Sequence, residues 1–160
     1  MAKFNRRIFS NLREFITDAR MIFSMRKDIH TLMQGEIIAP AFRERIMLAV
    51  TSVNECRYCS FAHSREALAK GIPPEELDEL GRGMFTGSPP KEVPALLYAQ
   101  HWAETNGMPE EPLRDKLITT YGQIKVELME LAMRMIRSGN LLGNTFDYLL
   151  HRISFGKWRQ

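Results

Sequence analysis

The sequence predicts an all-α protein: a single-domain helical bundle over residues 1–160, opened by a long N-terminal amphipathic helix. Two observations carry this. Apolar residues recur at alternating spacings of three and four along most of the chain, the period of one face of a helix. No segment alternates in the manner of a strand between hairpin dipeptides. A length of 160 residues is enough for one domain with its own core.

Composition narrows the class. Hydrophobic residues make up 44% and charged residues 26%, which is globular rather than disordered. Two cysteines are too few for a disulfide-stapled secreted scaffold. The longest apolar run, near Ile46–Val50, is core-sized and far short of a membrane span. Arg13, Glu14, Asp18 and Arg20 interrupt any signal-peptide core near the N-terminus. The expected setting is therefore the cytoplasm. In a reducing compartment a close cysteine pair is catalytic or metal-binding rather than structural.

The net charge is +3 and the pI about 9.0. The excess sits in residues 1–30, where Lys3, Arg6, Arg7, Arg13, Arg20, Arg26 and Lys27 face only Glu14, Asp18 and Asp28. The remainder holds 15 basic and 16 acidic residues. No basic cluster is interleaved with aromatics, and no finger or glycine-rich phosphate motif occurs, so no nucleic-acid partner is expected.

The elements follow in order. Residues 4–33 carry Ile8, Leu12, Phe15, Ala19 and Ile22 on one stripe, widened by Phe9, Ile16 and Phe23. This predicts one long helix ending near Gln34-Gly35, so residues 1–35 form an N-terminal unit before a core of 36–160. Pro40 opens a second helix, since its missing N–H costs nothing in a first turn. Phe42, Ile46, Ala49, Val50 and Val53 form its apolar face. Asn54 is the expected N-cap of a third helix running to Lys70 and stopped by Gly71. A short helix starts at Pro73-Pro74. Gly81, Gly83, Gly87 and Pro89-Pro90 mark a loop, and residues 91–105 form another helix closed by Asn106-Gly107. Two more are expected over 110–120 and 124–138. The Ser138-Gly139-Asn140 and Gly143-Asn144 runs are expected to interrupt the chain before a last helix over 145–153.

The chemistry concentrates in Glu55-Cys56-Arg57-Tyr58-Cys59-Ser60-Phe61-Ala62-His63. On a helix Cys56, Cys59 and His63 share one stripe. Cys59 lies about 4.5 Å along the axis from Cys56 and about 6 Å from His63. Side chains lean toward the helix N-terminus, so the imidazole reaches back over Cys59. A first-turn position favours a thiolate through exposed N–H groups and the positive end of the helix dipole. A hairpin turning at 53–54 sets Glu44 level with His63. The expected constellation is Glu44, directly or through a water, to His63, to Cys59, with Cys56 as the second sulfur.

Glu44, eleven residues, then Cys56-x-x-Cys59-x-x-x-His63 resembles the relay motif of the alkylhydroperoxidase D-like proteins of the carboxymuconolactone decarboxylase superfamily. The flanks are similar too: Phe42-Arg43-Glu44-Arg45 entering an apolar helix, and Ala67–Gly71 closing the cysteine helix. The match is best over about residues 40–110. The resemblance implies a helical subunit that assembles as a trimer or hexamer. It also implies a thiol-dependent peroxidase or disulfide oxidoreductase whose only redox group is the Cys56–Cys59 pair. A hydroperoxide or disulfide would be its substrate and an external thiol its reductant. Some relay members carry a histidine just before the second cysteine; here Tyr58 stands there, able to donate a hydrogen bond through its phenol. The superfamily's decarboxylases generally lack the cysteine pair. Two other readings stay open on the residues. One is a zinc site of Cys56, Cys59, His63 and Glu44. The other is a non-enzymatic, redox-responsive oligomer. Cys56 as the attacking sulfur also stays open, on the expectation that a first-turn position exposes it more.

Overall fold

The structure, a computed structural model, describes residues 4–154; Lys3 of the basic segment lies outside them. Among the described residues there are eight helices and no strand. They are α1 (Leu12–Ser24), α2 (Arg26–Gln34), α3 (Pro40–Asn54), α4 (Arg57–Ala69), α5 (Pro74–Gly81), α6 (Val93–Glu104), α7 (Glu111–Tyr121) and α8 (Gln123–Ile153).

Helix α3 is the hub. It packs on α4, α5, α6 and α8, and every residue from Phe42 to Thr51 is buried. A helix buried on all sides must pair its charged residues, because an unpaired buried charge is far costlier than a paired one. Arg45 donates to Glu76 Oε1 and Oε2 at 2.6 and 3.0 Å and to Glu92 at 3.2 Å, tying α3 to α5 and to the start of α6. Arg43 reaches the Leu32 carbonyl at 3.4 Å and the Glu44 carboxylate at 3.3 Å. One apolar core runs from Leu32 to Ile136, with Ile46, Leu96, Trp102, Met129 and Met133 at its centre.

Three expectations are corrected. The N-terminal stripe is not one helix. Residues 4–10 run as a non-helical strap, and α1 starts only after Asn11. The Asn11 side chain accepts the Glu14 N–H at 2.9 Å while Glu14 accepts the Ser10 N–H at 2.8 Å, a reciprocal cap. A break at Met25 then separates α1 from α2. Second, Asn54 caps nothing: it is the buried last residue of α3. Glu55 turns the chain at φ 55°, and Cys56 caps α4.

Third, the chain is not interrupted at Gly139 or Gly143. Helix α8 is continuous for 31 residues, about 46 Å at 1.5 Å per residue. These glycines are helical, and their bare faces lie against the α4 sulfurs: a β-carbon would stand 2.7 Å from Cys56 Sγ at Gly143 and 3.9 Å from Cys59 Sγ at Gly139. The asparagines that read as loop residues are buried partners. Asn140 donates to Thr51 Oγ1 at 3.2 Å and accepts from Asn54 at 3.3 Å; Asn144 donates to the Asn54 carbonyl at 2.7 Å. Among the described residues no helix is long and apolar enough to cross a membrane.

Candidate functional site

The tight α3–α4 turn lays the two helices side by side and sets the site between them and α8. Glu55 in the left-handed region ends α3, and its N–H still bonds the Thr51 carbonyl at 2.8 Å. Cys56 follows at once as N-cap, its sulfur accepting the Cys59 N–H at 3.4 Å. Sulfur here does what a serine or aspartate oxygen usually does at a helix start.

Both cysteines are free thiols, and a hydrogen bond joins their sulfurs at 2.8 Å. Cys56 is fully buried while Cys59 is partly exposed. This reverses the expectation that the first-turn cysteine is the more exposed, because Gly143 lets α8 close over it.

The two thiols titrate in opposite directions. The Cys59 thiol donating to it holds Cys56 down to about 7, helped by the Cys59 and Tyr58 backbone N–H groups and the charge of Arg6, against the opposing cost of burial. Cys59 is pushed well above an ordinary thiol by that same bond to Cys56 and by burial, although Asn140 bonds to it. Of the two sulfurs Cys56 is therefore the one favoured as the anion, with the Cys59 thiol bonded to it.

One turn beyond Cys59, His63 Nδ1 lies 2.7 Å from Glu44 Oε2, a direct contact with no room for a bridging water. Glu44 is buried and its other oxygen takes Arg43 at 3.3 Å; His63 keeps a quarter of its side chain exposed. The carboxylate fixes one ring nitrogen and leaves Nε2 to other partners.

Tyr58 turns to α8. Its hydroxyl donates to Asp147 Oδ1 at 2.8 Å and accepts from Arg57 at 2.9 Å. Asp147, wholly buried, also takes Arg57 at 2.7 Å and Arg6 at 2.9 Å. A cavity of about 260 Å³ lies against Cys56, walled by Ser52, Glu55, Arg57 and Ser60. Among the described residues no three His, Cys, Asp or Glu side chains gather as a metal-ligand group.

The structure thus brings Cys56, Cys59, Glu44 and His63 into one neighbourhood and places Tyr58 at its edge. Arg6, Asn140, Gly143 and Asp147 escaped the sequence reading. A signal for the α8 residues existed: Asn140, Asn144, Asp147 and His151 fall at spacings of four, three and four, a buried polar stripe. The supposed break at Gly139 hid it.

No curated protein and no solved structure matches the chain. The model of one family, described as "Carboxymuconolactone decarboxylase family", matches residues 19–105, which hold both cysteines, His63 and Glu44 and leave out the strap and α8. That match takes in more than half of the sequence, and with an all-helical fold around it the chain belongs to the carboxymuconolactone decarboxylase family, which includes the alkylhydroperoxidase D-like proteins.

Proposed function

We propose that the protein is a thiol-dependent peroxidase or disulfide oxidoreductase that reduces hydroperoxides with the Cys56–Cys59 pair. The observation that carries this reading is the pair of free sulfurs 2.8 Å apart at a helix N-terminus, one turn from a histidine held by a buried glutamate. No cofactor beyond the cysteines is invoked.

His63, polarised by Glu44, takes the proton of Cys59. The Cys59 sulfur attacks the distal oxygen of a hydroperoxide as that proton leaves, so Cys59, whose thiol is held up by Cys56, does not rest as a second anion beside it. The O–O bond breaks, Cys59 becomes a sulfenic acid, and the departing alkoxide takes the proton from His63 and leaves as an alcohol. The Cys56 thiolate then attacks the sulfenic sulfur, forming the disulfide and expelling hydroxide, which takes a proton from solvent and leaves as water. An external dithiol returns two electrons and two protons by exchange. Exposure favours Cys59 as the sulfur met from outside. The low pKa of Cys56 suits it to resolve the sulfenic acid and, during reduction, to leave. The reverse order has the cavity beside Cys56 on its side. Trimers or hexamers in a reducing cytoplasm complete the proposal.

The test is consumption of tert-butyl hydroperoxide with dithiothreitol. Wild type should turn over, and Cys59→Ser should lose nearly all activity; equal rates would remove the reading. Dimedone decides the order. A stable adduct on Cys59 in Cys56→Ser supports Cys59 as attacker, whereas label retained only in Cys59→Ser reverses it.

A further inference from the structure

The strap of residues 4–10 lies outside the segment that matches the family, yet its Arg6 reaches the Glu55 carbonyl, one residue before Cys56. It is seated at several points along α8. The Phe4 ring meets Tyr148 edge-on at 5.5 Å. The Arg7 carbonyl accepts Asn144 Nδ2 at 2.9 Å, and the Phe9 N–H donates to Thr145 Oγ1 at 3.1 Å. On its other flank the Arg7 guanidinium bonds the Ala103 and Glu104 carbonyls at the end of α6. Between these anchors Arg6 turns inward. Its side chain is 8% exposed, and Nη1 donates to Asp147 Oδ2 at 2.9 Å and to the Glu55 carbonyl at 3.5 Å, the residue just before Cys56. Its other terminal nitrogen, Nη2, is buried with no hydrogen-bond partner among the described residues.

We propose that Arg6 is a positioning residue for the redox pair: the strap delivers its guanidinium to the capped end of α4, Asp147 aligns it there, and its charge holds the anion of the pair on the buried Cys56 sulfur. With one edge on a carboxylate, its plane over the Phe4 ring at 5.0 Å and Nη2 without a hydrogen-bond partner, Arg6 is a cation only partly neutralised in a dry place. Such a charge favours an anion nearby. The arrangement rests on the redox reading for its purpose, since an anion on Cys56 is what resolves a sulfenic acid or leaves from a disulfide. Charged and titratable groups from α4, the turn before it, α8 and the strap gather at this end of α4. Cys59, Tyr58 and Arg57 come from α4, Glu55 from the turn, Asp147 from α8 and Arg6 from the strap. Glu55 and Asp147 oppose the anion; Arg57 is more exposed and committed to Asp147 and Tyr58. Arg6 is the buried cation among them.

The experiment reads thiolate absorbance at 240 nm against pH in the reduced full chain, for wild type, Arg6→Gln and Arg6→Lys, with thermal melts to establish folding. Two roles predict opposite signs. If Arg6 supplies charge, Arg6→Gln raises the first thiolate midpoint, by about one unit, or roughly tenfold less thiolate below it. If the strap is only a cover, its loosening lets water reach Cys56 and, because burial raises that thiol, the midpoint falls or stays. A rise in Arg6→Gln with a midpoint nearer wild type in Arg6→Lys supports the proposal. A midpoint unmoved or lowered in Arg6→Gln, or an Arg6→Lys midpoint equal to that of Arg6→Gln, overturns it. The measurement needs no peroxide turnover. An inert chain with a raised midpoint loses the peroxidase reading alone, and an active chain with an unmoved midpoint loses this one alone.

Discussion

Gly143 decides how close α8 comes to the redox pair, and its replacement separates two opposed effects. Glycine to alanine inside a helix ordinarily stabilises by about 1 kcal/mol. At Gly143 the new methyl would sit 2.7 Å from Cys56 Sγ, and the sulfur is not a flexible side-chain end: its neighbour Cys59 and the cap it forms hold it in place. Overpacking of this kind costs typically about 1–3 kcal/mol. Gly143→Ala should therefore lower the melting temperature and peroxide turnover together. Gly139→Ala meets Cys59 Sγ only at 3.9 Å, ordinary contact, and should melt no lower than wild type. Differential scanning calorimetry on the two proteins checks the contrast. Equal melting temperatures would mean that α8 yields at Gly143 and that the glycine is not what admits the sulfur.

At the level of elements, what could be read in advance was what local spacing encodes. Pro40, Gly71, Pro73-Pro74 and Asn106-Gly107 mark boundaries by their own backbone preferences, and α3 to α7 lie close to where those marks put them. The cysteine–histidine stripe likewise follows from helical period alone. The misread boundaries are those that tertiary partners override. Gly139, Asn140, Gly143 and Asn144 signal a loop locally. Buried against α3 and α4, they are the small and polar residues that this helix contact requires. At the other end, Asn11 and Glu14 carried a cap signal inside a stripe that periodicity alone extended to residue 4. Contacts such as Arg6 with Asp147, 141 residues apart, leave no trace in spacing. The Arg45 cluster joins elements in the same way and makes a signed prediction. Burial alone would raise Glu76, but Arg45 and Ser88 hydrogen bonds bring it below an ordinary glutamate; burial does raise Glu92 above one, with Arg45 only partly opposing. A depressed folded pKa contributes stability above the unfolded value that is lost as pH falls through the carboxylate range. A raised one contributes nothing favourable at neutrality. Glu76→Gln should thus cost about 3 kcal/mol at pH 7, the low end for a broken buried pair since Arg45 keeps Glu92. That cost should shrink toward pH 4. Glu92→Gln should be close to neutral. Urea midpoints at pH 7 and pH 4 read both, and a larger loss from Glu92→Gln would invert the assignment.

Over the whole molecule, the described surface exposes large apolar side chains on its first and last helices. Helix α1 buries none of its residues, and Leu12 and Phe23 stay 71% and 72% exposed. On α8, Leu142, Phe146, Leu149 and Ile153 are each more than half exposed. Their spacings of four, three and four make a continuous stripe, on the side of α8 away from Asn140, Asn144 and Asp147. Scattered apolar residues on a surface are ordinary, but a stripe with this period is the pattern of a helix that packs on another. A lone copy would leave it in water at about 25 cal/mol for each square ångström that a partner copy could cover. The net charge of +3 per chain is too small to hold copies apart at physiological salt. Self-association through α8 is the expected consequence, and the trimer or hexamer proposed above would be its form. Light scattering on the purified chain should give three or six times 18.5 kDa. Leu149→Glu places a charge in the middle of the stripe, away from the Tyr58–Phe146 ring contact beside the cysteines. It should move the mass toward that of a single chain while the helical circular dichroism stays. A wild type of 18.5 kDa across micromolar concentrations would remove the assembly. An unchanged oligomer in Leu149→Glu would move the interface off α8.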